Sequence, residues 1–191
     1  GAMAGFPPQL RRAAETAGLL LRNEREQMRE LLGGRIIFPD VSSGGTVRHM
    51  IGRSLRSDAR LKYLSLGGLP KTIWGLGDVR RGRPAILTES IIDAVNLRQM
   101  GLQGLAANGT GIAGYLLREL RRLPVLLILP QNDPAGREAA RRWREKLGHA
   151  RLLDHAFAAG EKDLNDQVLR LGLTETARRL RESMAALGLK D

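Results

Sequence analysis

The sequence has no cysteine, no long apolar segment and no recognisable targeting signal. Without cysteine, disulfide bonds and thiolate zinc sites are excluded within this chain. No apolar run reaches the roughly 18 residues that a membrane-spanning helix needs. Residues 1–3 are interpreted as the remnant of an expression tag, and no signal peptide follows them. Because 42% of the residues are hydrophobic, we expect a folded, soluble, cytoplasmic protein without a membrane partner.

Acidic residues are too few to balance the basic ones. The chain has 31 Lys and Arg against 20 Asp and Glu, which gives a formal net charge of +11. The excess is uneven, because residues 1–83 carry 15 basic and 7 acidic side chains, whereas residues 84–191 carry 16 and 13. Such an imbalance indicates a polyanionic partner, such as nucleic acid, that contacts mainly the N-terminal half. A merely solubilising, Arg-rich surface would give the same charge.

The N-terminal half, residues 4–83, predicts a helix followed by a small sheet. Apolar residues recur at roughly helical spacing over 9–32, which predicts one long amphipathic helix. Apolar runs separated by turns over 35–66 predict three antiparallel strands. We interpret Trp74, in a glycine-flanked segment, as a packing anchor rather than a platform for base stacking. Basic side chains are expected to project from the sheet, namely Arg48, Arg53 and Lys62.

From residue 84 onward, the pattern predicts alternating strands and helices. The predicted strands are 84–88, 103–107, 124–129 and 149–153, and the predicted helices are 90–100, 111–122 and 134–147. This alternation predicts a parallel sheet with helices on its faces, which we assign to a domain over 84–170. Residues 171–191 are expected to form a C-terminal helix.

Acidic residues follow two of these strands, where an open α/β sheet presents its site. Glu89 and Asp93 follow the first strand, and their spacing of four places both on one face of a helix. Asp133 follows the third strand. Like charges brought together are costly unless a divalent cation lies among them, which predicts a metal site for phosphate chemistry. Each acid also suits a helix start, however, and Asp133 before Pro134 makes a good N-cap.

A short polar loop, Asn108-Gly109-Thr110, separates the second strand from its helix. Glycine lets backbone amides approach a phosphate, so this loop is a candidate phosphate-binding segment. The histidines have no ligand spacing, and no role is assigned to them.

The order of these pieces resembles the catalytic core of DnaG-type and phage-type DNA primases, whose TOPRIM domain corresponds to residues 84–170. Proteins with this domain have a glutamate after the first strand, small residues after the second and an acidic pair after the third. The matching residues are Glu89 and Asp93, then Asn108-Gly109-Thr110, then Gln131-Asn132-Asp133, and later Lys162-Asp163.

The N-terminal half also resembles the basic subdomain of primases, which topoisomerases lack. The similar segments are Gly34-Arg35-Ile36-Ile37-Phe38-Pro39, Ile51-Gly52-Arg53 and Lys62-Tyr63-Leu64. The resemblance implies an α/β fold, with a Rossmann-like TOPRIM sheet and flanking helices preceded by a small α+β basic subdomain.

The resemblance further implies a metal-dependent enzyme that makes short RNA primers on single-stranded DNA from nucleoside triphosphates. Mg²⁺ or Mn²⁺ would be the cofactor, with no zinc in this chain, and a replicative helicase is an implied partner. The implied catalytic residues are Glu89, Asp93 and Asp133, and the implied metal ligands are these three with Gln131 and Asp163. The implied nucleotide- or template-binding residues are Arg35, Arg48, Arg53, Lys62, Asn108, Gly109 and Thr110.

Gln131 departs from the family's pattern, which has an aspartate there. A neutral amide offers a carbonyl oxygen but no charge, so we expect weaker metal binding and impaired activity. Two alternatives remain open: a catalytically inactive TOPRIM module that binds single-stranded nucleic acid or nucleotide, and a TOPRIM nuclease, which has no evident need for the basic unit. Because a zinc-binding module and a helicase-linked part do not fit in this chain, we interpret it as a fragment or a reduced primase from a mobile element.

Overall fold

The computed structural model describes residues 5–189, so the interpreted tag remnant at 1–3 lies outside the described residues. The chain divides into two units, residues 1–71 and 72–191. The polar break near residue 83 predicts a later boundary, but residues 72–83 belong to the second unit. No helix among the described residues is long and apolar enough to cross a bilayer.

The predicted helix over 9–32 is wrong. Only α1 (Pro8–Thr16) is helical, and a hairpin of β1 (Leu20–Arg22) and β2 (Met28–Glu30) follows it. Gly18 adopts a φ of 71°, a left-handed conformation that ends the helix.

The turn of this hairpin is stabilised by Asn23. Its side-chain oxygen accepts hydrogen bonds from the backbone N–H groups of Arg25 (3.0 Å) and Gln27 (2.9 Å). Asparagine competes with helices in this way, because its side chain gives nearby N–H groups a partner that the helix would otherwise supply. Helical periodicity alone did not reveal this interruption.

The predicted antiparallel sheet in the first unit is confirmed. Its order is β3 (Arg35–Val41), β4 (Val47–Ser54) and β5 (Tyr63–Ser65), with β4 in the centre. Gly52 is required in β4, because a Cβ atom there would lie 2.9 Å from Cδ of Arg35. The Arg35 side chain therefore runs along the sheet in space that only glycine leaves open.

The second unit contains the predicted four-stranded parallel sheet, in the order β7-β6-β8-β9. Its strands are β6 (Ala85–Thr88), β7 (Gln103–Ala106), β8 (Leu126–Ile128) and β9 (Arg151–Leu152). Its helices are α2 (Ile91–Gln99), α3 (Gly114–Leu120), α4 (Pro134–Leu147), α5 (Leu164–Leu171) and α6 (Leu173–Ala186).

Both faces of the parallel sheet are buried, which explains why its strands consist of continuous apolar runs. Leu87 and Ile128 pack on one face with Trp143 of α4, and Ile86 and Leu127 pack on the other with residues of α2, α5 and α6. These four strand residues are fully buried, at 0% exposure. The sheet is therefore a rigid base for whatever follows its strands.

Trp74 joins residues 72–78 to the edge of this sheet. It exchanges backbone hydrogen bonds with Ala106, at 3.0 and 3.1 Å, and the Arg98 guanidinium lies 4.5 Å from the centre of its ring. Arg98 makes further contacts from Nε to the Gly104 carbonyl (3.2 Å), from Nη2 to the Gly75 carbonyl (2.9 Å) and from Nη1 to Asp78 Oδ2 (2.8 Å). Trp74 is thus a packing anchor, as its sequence context predicts.

We expect Arg98→Ala to lower the free energy of unfolding by about 2–3 kcal/mol, because hydrogen bonds from a charged group are lost and carbonyls are left without a partner. Urea denaturation followed by circular dichroism measures the change. The control is Arg142→Ala, whose exposed side chain lies 3.6 Å from Glu138 and should contribute at most about 0.5 kcal/mol. Equal effects of the two substitutions would contradict this role of Arg98.

Candidate active site

The strand order creates a crevice between β6 and β8. The chain crosses from β6 to β7 on one side of the sheet's midline and from β8 to β9 on the other. In open α/β sheets, ligands bind at such a switch point, outside the carboxyl ends of the strands. Glu89 directly follows β6, and Asp133 begins α4 after β8. The structure therefore places these two predicted site residues at the switch point.

Glu89 is partly buried and is held through its backbone. Its carbonyl oxygen accepts a hydrogen bond from the Gly109 N–H at 3.4 Å. Burial raises the pKa of the Glu89 carboxyl, the negative charge of Asp133 raises it further, and the positive charge of Lys162 lowers it. A partly buried acid that interacts with a second acid in a crevice is a candidate proton acceptor or metal ligand.

Asp133 uses its two carboxyl oxygens differently. Oδ1 accepts a hydrogen bond from the Gly136 N–H at 2.7 Å, which caps α4. Oδ2 lies 3.4 Å from Nζ of Lys162. The Gly136 hydrogen bond and Lys162 both lower the pKa of Asp133, so this carboxyl is ionised at neutral pH. The N-cap interpretation is therefore correct, and it leaves one oxygen for another partner.

Asp93 lies in the first turn of α2 and is 2% exposed. Its Oδ1 accepts a hydrogen bond from the Asn165 N–H at 3.0 Å. Burial, followed by the negative charge of Asp163, raises the pKa of Asp93 to about 8. Asp163 caps α5 by accepting a hydrogen bond from the Asp166 N–H at 3.0 Å. Asp93 and Asp163 are thus brought near each other, where α2 meets α5.

The acids do not form a closed metal cage. Among residues 5–189, no group of three acidic or histidine side chains lies close enough together to hold a metal ion. Mg²⁺ does not require such a group, because it keeps several waters and is commonly held by one or two carboxylates with substrate phosphates. Glu89 and Asp133 fit this open kind of site. Asp93 and Asp163 would contribute to binding a cation only if Asp93 lost its proton.

Gln131 faces a groove of about 390 Å³ that is also lined by Arg137, Asp154 and Phe157. A Cβ atom added at Gly136 would lie 2.6 Å from the Cβ of Gln131, so glycine is needed in the first turn of α4. An amide here adds no negative charge to the switch point.

Asn132 and Lys162 lie in segments that the resemblance matched, but neither residue was given a role there. The Asn132 backbone N–H donates to the Lys162 carbonyl at 2.6 Å, and its Nδ2 donates to the Glu161 carbonyl at 2.8 Å. These bonds join the loop after β8 to the segment before α5, across about thirty residues of sequence. The matched segments contain both residues, but nothing in the sequence predicted that they contact each other.

The loop after β7 supports Glu89 from the other side. Asn108 has a φ of 54°, a left-handed conformation that asparagine tolerates better than most residues, and Gly109 has a φ of 124°. The Thr110 carbonyl accepts a hydrogen bond from the Trp143 indole at 2.9 Å, which fixes the end of the loop. Phosphate binding by Asn108, Gly109 and Thr110 stays a prediction.

The four basic residues predicted in the first unit differ in their surroundings. Nη1 of Arg35 donates to three carbonyls of β4 and the segment before β5, and Arg48 pairs with the buried Asp40 at 3.0 Å. Among the described residues, Arg53 and Lys62 have no hydrogen-bonded or ion-paired side-chain partner. Of these four residues, Arg53 and Lys62 therefore have the charges most available to an external anion.

Comparison with known proteins identifies the class of domain. Residues 86–168 match the family model described as Toprim-like. A DNA primase from Listeria innocua is 28% identical over 138 residues, which cover 66% of this chain and 22% of the relative. Residues 86–168 of the second unit are therefore similar to Toprim-like domains.

Solved structures extend the likeness to both units. A DNA primase domain from Pseudomonas aeruginosa has a TM-score of 0.69 and 26% identity, over 87% of this chain and 56% of that one. A DnaG primase catalytic domain bound to single-stranded DNA has a TM-score of 0.71 and 23% identity, over 95% of this chain and 64% of that one. The chain has the fold of DnaG-type primase catalytic cores, and it spans less than two thirds of each of these relatives.

We expect Asp93→Asn to stabilise the protein at alkaline pH. Folding raises the pKa of Asp93 to about 8, so the unfolded chain loses this proton near pH 4 while the folded chain retains it. As the pH rises between these values, stability falls by at most roughly 1.4 kcal/mol per pH unit, and an asparagine removes this loss. Urea denaturation in metal-free buffer at pH 4.5 and pH 8 measures the effect.

The amide introduced by Asp93→Asn would keep an oxygen that can accept the Asn165 hydrogen bond, so little else should change. Asp154→Asn, at an exposed acid, is the matched control. If the free energy of unfolding changed equally between pH 4.5 and pH 8 in Asp93→Asn and in the wild type, Asp93 would not be protonated in the folded protein.

Proposed function

We propose that this chain is the catalytic core of a DNA primase that makes short RNA primers on single-stranded DNA in a metal-dependent reaction. The observation that carries the proposal is the placement of Glu89 and Asp133 at the switch point of a sheet with the fold of primase cores. That a catalytic domain of the same fold was solved with single-stranded DNA supports the template. In this role the chain would act in the cytoplasm, alongside a replicative helicase.

In primer synthesis, the 3′-hydroxyl of the growing strand attacks the α-phosphate of a nucleoside triphosphate. A new P–O bond forms, the bond to the β-phosphate breaks, and pyrophosphate leaves. Glu89 and Asp133 would hold Mg²⁺ or Mn²⁺, which would supply positive charge for the attacking and leaving oxygens. Where Glu89 does not bind the ion, its carboxyl, which has a raised pKa, would instead accept the hydroxyl proton.

The two remaining acids, Asp93 and Asp163, would change the charge of this site. Asp93 lies one helix turn beyond Glu89, and Asp93 and Asp163 accept hydrogen bonds from backbone N–H groups at the start of α5. Their charges would add to the attraction for cations once Asp93 is ionised.

The basic residues of the first unit would bind the anionic substrates. Arg53 and Lys62 would contact the phosphates of the template backbone, because among the described residues no acidic side chain pairs with them. Arg35 and Arg48 would mainly shape this surface, since their side chains already have partners.

A second candidate function is a non-catalytic module that binds single-stranded nucleic acid or nucleotide. Gln131 favours it, because the site has one acid fewer than the family's pattern. No observation favours a nuclease.

Primer synthesis from labelled triphosphates on a single-stranded template, with Mg²⁺ or Mn²⁺, tests the proposal. We expect Gln131→Asp to increase the rate over the wild type, because it restores a negative charge. We expect Glu89→Gln and Asp133→Asn to lower it at least about 100-fold. Asparagine at position 133 can still cap α4, so the fold should be retained.

The control is Glu145→Gln, at an exposed acid near the C-terminal end of α4, which should synthesise primers at the wild-type rate. Full activity of Glu89→Gln or Asp133→Asn would contradict the site. If neither the wild type nor Gln131→Asp makes primers while both bind DNA, the non-catalytic module is the better account.

We expect Arg53→Ala to weaken binding of single-stranded DNA and to reduce the slope of log Kd against log salt by about 0.7 for one lost phosphate contact. Fluorescence anisotropy at several salt concentrations measures both quantities. Arg22→Ala is the control, because Arg22 is already paired with Glu26. Equal losses in the two variants would indicate that only overall charge matters.

A further inference from the structure

Lys162 is fixed to the active site through its backbone. Its N–H donates to Asp166 Oδ2 at 2.9 Å, and its carbonyl accepts the Asn132 N–H at 2.6 Å. The side chain starts from this fixed point and places Nζ 3.4 Å from Asp133 Oδ2. The ammonium group is therefore held beside the loop that carries Asp133, although 61% of the side chain is exposed.

The ammonium group of Lys162 faces the oxygen that a metal ion would need. Oδ1 of Asp133 is occupied by the Gly136 N–H, so Oδ2 is the oxygen that Asp133 can offer to a cation. Lys162 also interacts electrostatically with Glu89, the other acid at the switch point. One positive charge thus lies near both acids that would hold a divalent ion.

The number of acids at the switch point limits how much cationic charge this site can take. Glu89 and Asp133 carry at most two negative charges, and Gln131 adds none. Two divalent ions and an ammonium group would leave a large positive excess, whereas one divalent ion and one ammonium group are closer to balance before a triphosphate arrives.

We propose that the Lys162 ammonium group takes the place of a second metal ion, so that the site binds one divalent ion. This inference rests on the proposed function. Lys162 would leave Asp133 and contact a phosphate oxygen of the triphosphate as a compact point charge, without any proton transfer. An ordinary surface ion pair, by contrast, would contribute little to stability and nothing to metal binding.

Mn²⁺ binding tests this assignment directly. The electron paramagnetic resonance signal of free Mn²⁺ gives the number of bound ions and their Kd for the whole chain, with and without a non-hydrolysable triphosphate. We expect the wild type to bind one Mn²⁺ per chain. Lys162→Ala should bind Mn²⁺ about tenfold more tightly, because a positive charge close to the ion is removed.

Two further variants serve as controls. Lys162→Arg keeps the charge and should bind Mn²⁺ as the wild type does. Lys146→Ala removes an exposed lysine near the C-terminal end of α4, about 20 Å along the helix from Asp133, and should also leave the Kd unchanged. The double variant Gln131→Asp/Lys162→Ala should bind two Mn²⁺ ions.

The proposal would be overturned if the wild type binds no Mn²⁺ or two Mn²⁺ ions, or if Lys162→Ala binds no more tightly than Lys146→Ala. Primer synthesis is measured in parallel, and Lys162→Ala should lose activity while its metal affinity rises. If no variant makes primers, the proposed function fails, but the Mn²⁺ results still decide whether Lys162 acts as the second cation.

Discussion

The parallel pairing of β6 and β8 is the constraint on which the site depends. It brings the carboxyl ends of two buried strands side by side, so that Glu89 and Asp133 must lie near each other. Burial and then repulsion by Asp133 raise the pKa of Glu89, and the charge of Lys162 offsets part of this increase. The apolar packing on both faces of the sheet keeps this arrangement rigid, because neither strand can move without opening the core.

The acids of the site have structural and chemical roles at the same time. Asp133 and Asp163 each use one oxygen to cap a helix, which leaves the second oxygen for another interaction. Asp93 accepts the hydrogen bond that fixes the start of α5. The N-cap and site interpretations of these residues therefore do not exclude each other, and removing an acid completely would disturb the fold as well as the chemistry. Substitution by the corresponding amide separates the two roles.

The sequence predicts the elements of the second unit well, because its strands are short apolar runs and α2, α4 and α5 have the N-caps Ser90, Asp133 and Asp163. The prediction of a helix over 9–32 was wrong because hydrophobic periodicity does not reveal the left-handed conformation of Gly18 or the turn stabilised by Asn23. The proximity of Glu89 and Asp133 follows from strand order and was predictable. The burial of Asp93 and the contact of Lys162 with Asp133 were not, since they depend on where α5 docks, about seventy residues away from Asp93 in sequence.

The most direct test of the central claim is an anomalous-difference map from crystals of the protein soaked in Mn²⁺ and a non-hydrolysable triphosphate. The account predicts one strong Mn²⁺ peak within bonding distance of carboxyl oxygens of Glu89 and Asp133, with the triphosphate beside it. A peak held by other residues, or no peak in crystals whose triphosphate is well ordered, would contradict the assignment of this crevice as the active site.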